Sequence, residues 1–335
     1  MKTMFIVILC AVSGAFAQPT PTMMKAIVVH EYGSPEVARF EDAPVPAPKE
    51  NEALVKVIAA GVNPADALAV SGKHAKEWGT QLPLVPGYDI AGTVVKIGAA
   101  VTKLKPGDAV YGYPLMGGGW AEYCAVAETD AALKPKSATY TEAAAVPLAA
   151  LTAWQALVDT IGLKSGQTIL IQGGSGGVGS LAVQLAKLRG ARVLATASTA
   201  NQEILKQLGV DVAIDYTKQK FEDIARDVDA VLDTVGGDTF IRSCKVVKKG
   251  GIVCTLVGAE KPAGIEHLDI RVVGLWVKPN AEQLSEIAKL IDEKKLKPMV
   301  TEELPLSEGV RALKQAETHH TRGKMVLKVA DEPKG

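Results

Sequence analysis

A chain of 335 residues exceeds what one compact core ordinarily organises, and at about 100 to 200 residues per domain it predicts two. Apolar residues make up 47% and charged ones 22%, which excludes disorder over most of the length. Lys plus Arg and Asp plus Glu stand at 37 each, so no net field draws the chain to nucleic acid or to an anionic membrane.

The first 17 residues have the layout of a secretory signal peptide: Lys2, an apolar run from Met4 to Val12, then the small residues Ala15 and Ala17 before a cleavage site at Gln18. The run is too short to span a bilayer, which takes roughly 20 apolar residues, and Leu9 before Cys10 does not suit a lipoprotein signal. The expectation is therefore export, to a periplasm or out of the cell, without a stable membrane anchor. Met23-Met24-Lys25-Ala26 reads as a second start, from which the product would be cytoplasmic. Cys124, Cys244 and Cys254, odd in number and widely scattered, form no disulfide framework and read as small buried hydrophobes.

Residues 24–147 carry short β-branched runs broken by Gly and Pro, at 26–29, 53–57, 92–95 and 108–111, which predict a barrel-like β domain. From 148 to 278 strands alternate with helical patterns, with strands expected at 168–172, 192–196, 211–214, 229–233, 251–256 and 272–277. Six such units predict a doubly wound parallel sheet, and continuous apolar runs such as Thr168-Ile169-Leu170-Ile171 suit strands covered on both faces. The segment 279–330 offers one clear amphipathic helix, at 281–294, and a final strand at 324–329 that returns to the β domain.

After the first strand of the second unit come Gly173, Gly174, Ser175, Gly176, Gly177, Val178 and Gly179, then a helix. Gly174, Gly176 and Gly179 fit G-x-G-x-x-G in its strand-to-helix setting, the pattern that places a dinucleotide pyrophosphate on a helix N-terminus. The next strand ends in Ala197-Ser198 with no carboxylate to repel a 2′-phosphate, and Ser198 offers a hydroxyl donor; this favours NADPH over NADH. Metal ligands are sparse: no C-x-x-C pair, and none of the five His beside a Cys, so no zinc site is expected.

Taken together the motifs resemble the zinc-independent medium-chain dehydrogenase/reductases, the quinone oxidoreductase and enone reductase group that includes zeta-crystallin-like proteins. The resemblance runs from Met24 to Val329 and rests on Gly61-Val62-Asn63-Pro64-Ala65-Asp66, Pro86-Gly87-Tyr88-Asp89-Ile90-Ala91-Gly92, Lys105-Pro106-Gly107-Asp108, Ala144 to Trp154, the glycine loop and His320-Thr321-Arg322-Gly323-Lys324. The family's zinc alcohol dehydrogenases carry a Cys in place of Asn63 and Gly-His-Glu in place of Gly87-Tyr88-Asp89.

The resemblance implies an α/β fold, a GroES-like β-barrel catalytic domain plus a Rossmann domain, and hydride transfer from NADPH to a quinone or to the C=C bond of an α,β-unsaturated carbonyl. By the same resemblance Asn63 and Thr152 position the nicotinamide and its ribose, and Ser198 and Tyr216 lie near the 2′-phosphate. Gly236, Val257 and Gly258 line the path from adenine to nicotinamide, Lys324 covers the phosphates, and the molecule is a homodimer. Asn63 and Tyr88 are candidates to donate to the substrate oxygen. Leu68 stands where some relatives have a Tyr or Lys proton donor, so water is the expected proton source.

Each assignment has a structural counterpart: Asn63 as a turn former, Asp66 as a helix cap, and Tyr88, Trp120 and Trp276 as core packing instead of an apolar substrate wall. The alternative function is an NADPH-binding sensor or crystallin-like structural protein without turnover.

Overall fold

The computed structural model describes residues 20–258, 263–318 and 320–332; the expected signal peptide at 1–17 lies outside them. Two larger sheets and a two-stranded ribbon make up the fold. The ribbon pairs β1 (Met23–Val29) with β2 (Ala38–Pro44). The seven-stranded sheet takes β3 (Glu52–Gly61), β4 (Ile90–Ile97), β5 (Ala109–Gly112), β6 (Tyr123–Ala127) and β7 (Ala131–Leu133), and is joined from the far end of the chain by two further strands. Inserted after β3 are α1 (Pro64–Ser71) and the single turn α2 (Ala75–Trp78). Pro64 at the first helical position and Gly72 at φ 70°, beyond the last, bound α1 as proline and glycine are expected to.

The connection to the second sheet runs through α3 (Tyr140–Ala144) and α4 (Pro147–Trp154), whose last turns widen into a π-helical stretch, Gln155–Thr160. The six-stranded sheet contains β8 (Thr168–Ile171), β9 (Arg192–Ala197), β10 (Val212–Asp215), β11 (Val228–Asp233), β12 (Val247–Thr255) and β13 (Arg271–Gly274), with α5 (Gly177–Leu188), α6 (Gln202–Gln207) and α7 (Gly237–Cys244) between strands. All its pairings are parallel, in the order β10-β9-β8-β11-β12-β13. This is the doubly wound order, in which the progression of strands reverses between β8 and β11. The expected strand at 272–277 ends early: Gly274 pairs with Thr255, the last residue of β12, so Leu275, Trp276 and Val277 have no ladder beyond it.

The chain closes with α8 (Ala281–Asp292), β14 (Val300–Pro305), α9 (Gly309–Glu317) and β15 (Lys324–Lys328). Asn280 caps α8 by accepting the Gln283 N–H at 2.9 Å. Helix α9 goes beyond the sequence expectation; its apolar stripe is only Ala312, Leu313 and Ala316, too short to stand out from a charged segment, yet it is buried against β1 and the first sheet. Strand β15 inserts between β14 and β3, with Val326 opposite Gly61. One apolar core continues from Tyr111 and Ala144 through Leu151 and Leu157 to Ile169 and Leu181, so the α4 region packs the two sheets together as one body.

Candidate active site

Gly61 ends β3 and Asn63 opens α1, so the chain turns at this point within the core. Asp66, in the first turn, is fully buried and accepts two backbone N–H groups, Asn63 at 2.7 Å and Gly87 at 2.9 Å. The capping reading of Asp66 is correct in kind, and its carboxylate also ties the start of α1 to the loop bearing Tyr88. Burial away from water pushes its carboxyl up to about 7, against the lowering effect of the Asn63 N–H. The folded chain thus holds this proton more tightly than the unfolded one, and the stability contributed by the group falls as pH rises from about 4 to about 7. Asp66→Asn leaves one of the two N–H groups without an acceptor, costing about 1–3 kcal/mol at pH 7. It also flattens that part of the curve of urea-unfolding stability against pH; an unchanged slope would assign the dependence to other groups.

The side chain of Asn63 is held at both ends. Its amide N–H donates to Asp89 Oδ2 at 2.8 Å, and its Oδ1 accepts from Lys324 Nζ at 2.5 Å. Asp89, wholly buried, also accepts the Leu148 N–H on Oδ1 at 2.6 Å and the Lys324 ammonium on Oδ2 at 2.9 Å. The third ammonium donor reaches the Val62 carbonyl at 3.0 Å. One amide N–H of Asn63 remains for a ligand.

This geometry corrects the expectation for Lys324. Its three N–H donors are all spent on Val62, Asn63 and Asp89, and only 5% of the residue is exposed, so the ammonium does not cover a phosphate. What runs beside the phosphate loop is its neighbourhood: Gly323 N–H donates to the Ser175 carbonyl at 2.9 Å, and the lysine stem passes Gly177.

Tyr88 sits between two pinned residues, Gly87 and Asp89. Burial, and secondarily the Asp66 carboxylate, raises its phenol well above the ordinary tyrosine range, so the hydroxyl stays protonated. That hydroxyl makes no hydrogen bond to a described residue. Tyr113, which sequence patterning gave no reason to select, packs edge-on to Tyr88 at 6.1 Å between ring centres and is raised for the same primary reason. Thr152 lies on α4, one turn beyond Leu148, and donates its hydroxyl to the Leu148 carbonyl at 2.7 Å; its oxygen lone pairs remain free to accept. Trp120 is core: it is fully buried and its indole N–H bonds the Gly61 carbonyl at 3.1 Å.

The glycine loop connects β8 to α5 at the switch point between β8 and β11. A Cβ on Gly179 would stand 2.1 Å from the Gly173 carbonyl oxygen, and one on Gly174 2.7 Å from Ala195 Cβ, so helix and strands approach too closely for a side chain. Gly176 differs, because a Cβ there meets nothing nearer than 3.4 Å. It stands at the head of a helix whose first-turn N–H groups, from Gly177, Val178 and Gly179, have no carbonyl within the helix to bond. A cradle of this kind fits a pyrophosphate.

The remaining candidates gather at the same C-terminal strand ends. Ser198 follows β9, and Tyr216 follows β10 with its N–H on the Ala197 carbonyl at 3.2 Å, so the two are adjacent; Asn201 donates to the Ser198 hydroxyl at 3.3 Å. Gly236 and Val257 touch, a Cβ on Gly236 falling 2.8 Å from a Val257 methyl. Asp233, overlooked in the sequence, organises that corner: its carboxylate accepts the Val235 and Gly236 N–H groups and the Thr255 hydroxyl. Gly258, at φ 107°, ends the corner in a conformation that favours glycine.

A doubly wound sheet with a glycine cradle at its switch point, facing a second sheet that presents pinned hydrogen-bond donors, is the layout of a dinucleotide-dependent oxidoreductase. Comparison with known proteins agrees. The alcohol dehydrogenase GroES-like domain family matches residues 49–152 and the zinc-binding dehydrogenase family matches residues 208–327. A 2-methylene-furan-3-one reductase of Solanum lycopersicum is 43% identical over 92% of this chain and 79% of its own length. A chloroplastic NADPH-dependent alkenal/one oxidoreductase of Arabidopsis thaliana is 42% identical over 92% of this chain and 80% of its own. The solved structure of a quinone oxidoreductase from Coxiella burnetii superposes with a TM-score of 0.84, at 37% identity, covering 92% of this chain and 99% of that one. The chain belongs to the zinc-independent quinone and enone oxidoreductase group of the medium-chain dehydrogenase/reductases.

The description of the second matching family raises the question of zinc, and the donor set does not fit it. Asn63 and Tyr88 offer no thiolate or imidazole, the Asp66 and Asp89 carboxylates are spent on N–H donors, and among the described residues no three His, Cys, Asp or Glu converge to hold a metal ion.

Proposed function

We propose that the chain catalyses the NADPH-dependent, metal-free reduction of a quinone or of the C=C bond of an α,β-unsaturated carbonyl. NADPH, bound with its pyrophosphate at the head of α5, supplies the hydride. The observation that carries the reading is the Asn63 amide, held at both ends with one N–H left to donate, beside a segment that carries the Tyr88 phenol, which burial keeps protonated. An oriented amide N–H and a phenolic hydroxyl suit the oxygen on which enolate or quinol charge develops. Kept protonated by burial, the Tyr88 hydroxyl is available to donate a hydrogen bond to that oxygen. In enone reduction the β-carbon gains the hydride, the α-carbon gains a proton from water, the C=C bond becomes single and one NADPH becomes NADP⁺.

The test is oxidation of NADPH by purified protein with a panel of quinones and enals, followed by the loss of reduced-nicotinamide absorbance. Turnover with at least one acceptor is expected. Tight NADPH binding without oxidation by any of them would instead indicate a sensor or structural protein.

Preference for NADPH is supported by the corner at Ser198, Asn201 and Tyr216, where the nearby Asp215 carboxylate is engaged by the Thr199 and Thr217 hydroxyls at 2.6 and 2.7 Å. Ser198→Asp places a charge against a 2′-phosphate and is expected to shift the NADPH/NADH ratio of kcat/KM by about 10- to 100-fold toward NADH, a like-charge cost of roughly 1.4–2.8 kcal/mol. An unchanged ratio removes Ser198 from the site.

The open edge of β13 supports a homodimer formed by edge pairing, which sedimentation would test. Export directed by residues 1–17 is the proposed route, to be tested by N-terminal sequencing of the native protein: Gln18 supports it, Met24 refutes it.

A further inference from the structure

A row of aromatic rings crosses from one sheet's helices to the other sheet's edge. Trp78, the last residue of α2, stacks on His74 with ring centres 5.3 Å apart and planes at 17°, and the His74 ring is itself held by Glu77 at 2.5 Å. Two further rings meet Trp78 at steep angles: Tyr88 at 6.1 Å and 86°, and Trp276 at 6.2 Å and 78°. Trp276 also meets the edge of His74 at 5.8 Å. The site donor Tyr88 is thus one ring away from Trp276, with Trp78 between them.

Trp276 is 60% exposed, an unusual state for the largest apolar side chain, but it is not on a loose segment. On one side Leu275 N–H bonds the Thr255 carbonyl at 2.9 Å. On the other, the Gln155 side chain grips Lys278 twice, donating to its carbonyl at 2.7 Å and accepting its N–H at 3.0 Å. A largely exposed indole carried on backbone fixed at both flanks, and edged by two other rings, is preorganised for a flat partner. With the carbonyl oxygen at Tyr88, as the enone-reductase reading has it, Trp78 and then Trp276 are the next rings along the row from the reacting end.

We propose that Trp276 and Trp78 form an aromatic subsite that selects acceptors bearing a planar aryl group on the β-carbon, β-aryl enones in particular. The proposal rests on the enone-reductase reading above and adds no chemical step to it. Ring stacking selects by flatness and π character as well as by volume, so a phenyl group is preferred to a cyclohexyl group of similar size. At the magnitude of one aromatic pair this preference is about 3- to 10-fold.

The experiment compares kcat/KM for 4-phenylbut-3-en-2-one and 4-cyclohexylbut-3-en-2-one in the full enzyme and in its Trp276→Ala and Trp276→Phe variants. Expected are a phenyl preference in the parent, its collapse toward unity in Trp276→Ala through a higher KM for the phenyl compound, and its retention in Trp276→Phe. No preference in the parent, or an equal loss for both enones in Trp276→Ala, overturns the subsite. If neither enone is reduced, the enone-reductase reading fails on its own. The subsite is then decided by calorimetric binding of the saturated ketones 4-phenylbutan-2-one and 4-cyclohexylbutan-2-one: a phenyl preference abolished by Trp276→Ala supports it, and equal binding refutes it.

Discussion

Lys324→Met is expected to lower stability by about 3–5 kcal/mol, with a fall in Tm of roughly 10 °C, and to reduce kcat/KM by about 100-fold. Both effects follow from one buried cluster. Removing the ammonium leaves the Asp89 carboxylate without its countercharge in a place where water does not reach. The same change frees the Asn63 amide oxygen, so the amide is fixed at one end only and its remaining N–H loses its direction. Stability and activity separate in the double variant Lys324→Met/Asp89→Asn. The neutral amide introduced by Asp89→Asn still accepts the Leu148 N–H and no buried charge remains, so most of the lost stability returns. Activity does not, because nothing then orients Asn63. Urea unfolding and steady-state kinetics on the same samples check both halves; recovery of activity in the double variant would show that the lysine serves stability alone.

Gly176→Ala is expected to do the reverse, weakening NADPH binding by about 10- to 100-fold while changing stability by about 1 kcal/mol or less. The backbone at Gly176, φ −78° and ψ −179°, is open to any residue, and an added methyl meets no protein atom closer than 3.4 Å. Any large loss must therefore come from the ligand, as expected if its pyrophosphate lies against Gly176 as proposed. Gly179→Ala lacks this selectivity, since its methyl collides with the Gly173 carbonyl and disturbs the loop itself. Fluorescence titration with NADPH beside thermal unfolding distinguishes the two. Unaltered affinity in Gly176→Ala would place the pyrophosphate elsewhere.

Much of the fold was legible because its signals are local. Each buried parallel strand announces itself as an apolar run, and the glycine loop is a contiguous motif whose spacing encodes close packing. The site was legible only in part, for a physical reason. Asn63 and Tyr88 sit in recognisable segments, but what gives them direction is convergence across the chain: Lys324 lies 261 positions from the amide it holds. The family resemblance implied a phosphate ligand in Lys324, and only its three acceptors show that its ammonium is spent elsewhere. Trp78 and Tyr113 carry no pattern of their own, and Asp233 looks like any strand-terminal acid until two N–H groups and a hydroxyl are found on it. The shortened β13 has the same origin, since where a strand stops depends on where its neighbour stops.

The insertion of β15 between β3 and β14 has a bearing on the order of events at the ribosome. The slot between β14 and β3 is filled by a strand made long after β3, and the same strand brings the lysine that orients Asn63. The six strands of the nucleotide-binding sheet all precede β15 in the chain, so that sheet can assemble before the strand that completes the geometry around Asn63 has been made. Proteolytic trimming from the carboxyl end, even by no more than it takes to remove β15, would accordingly silence the enzyme while sparing the half that grips the nucleotide.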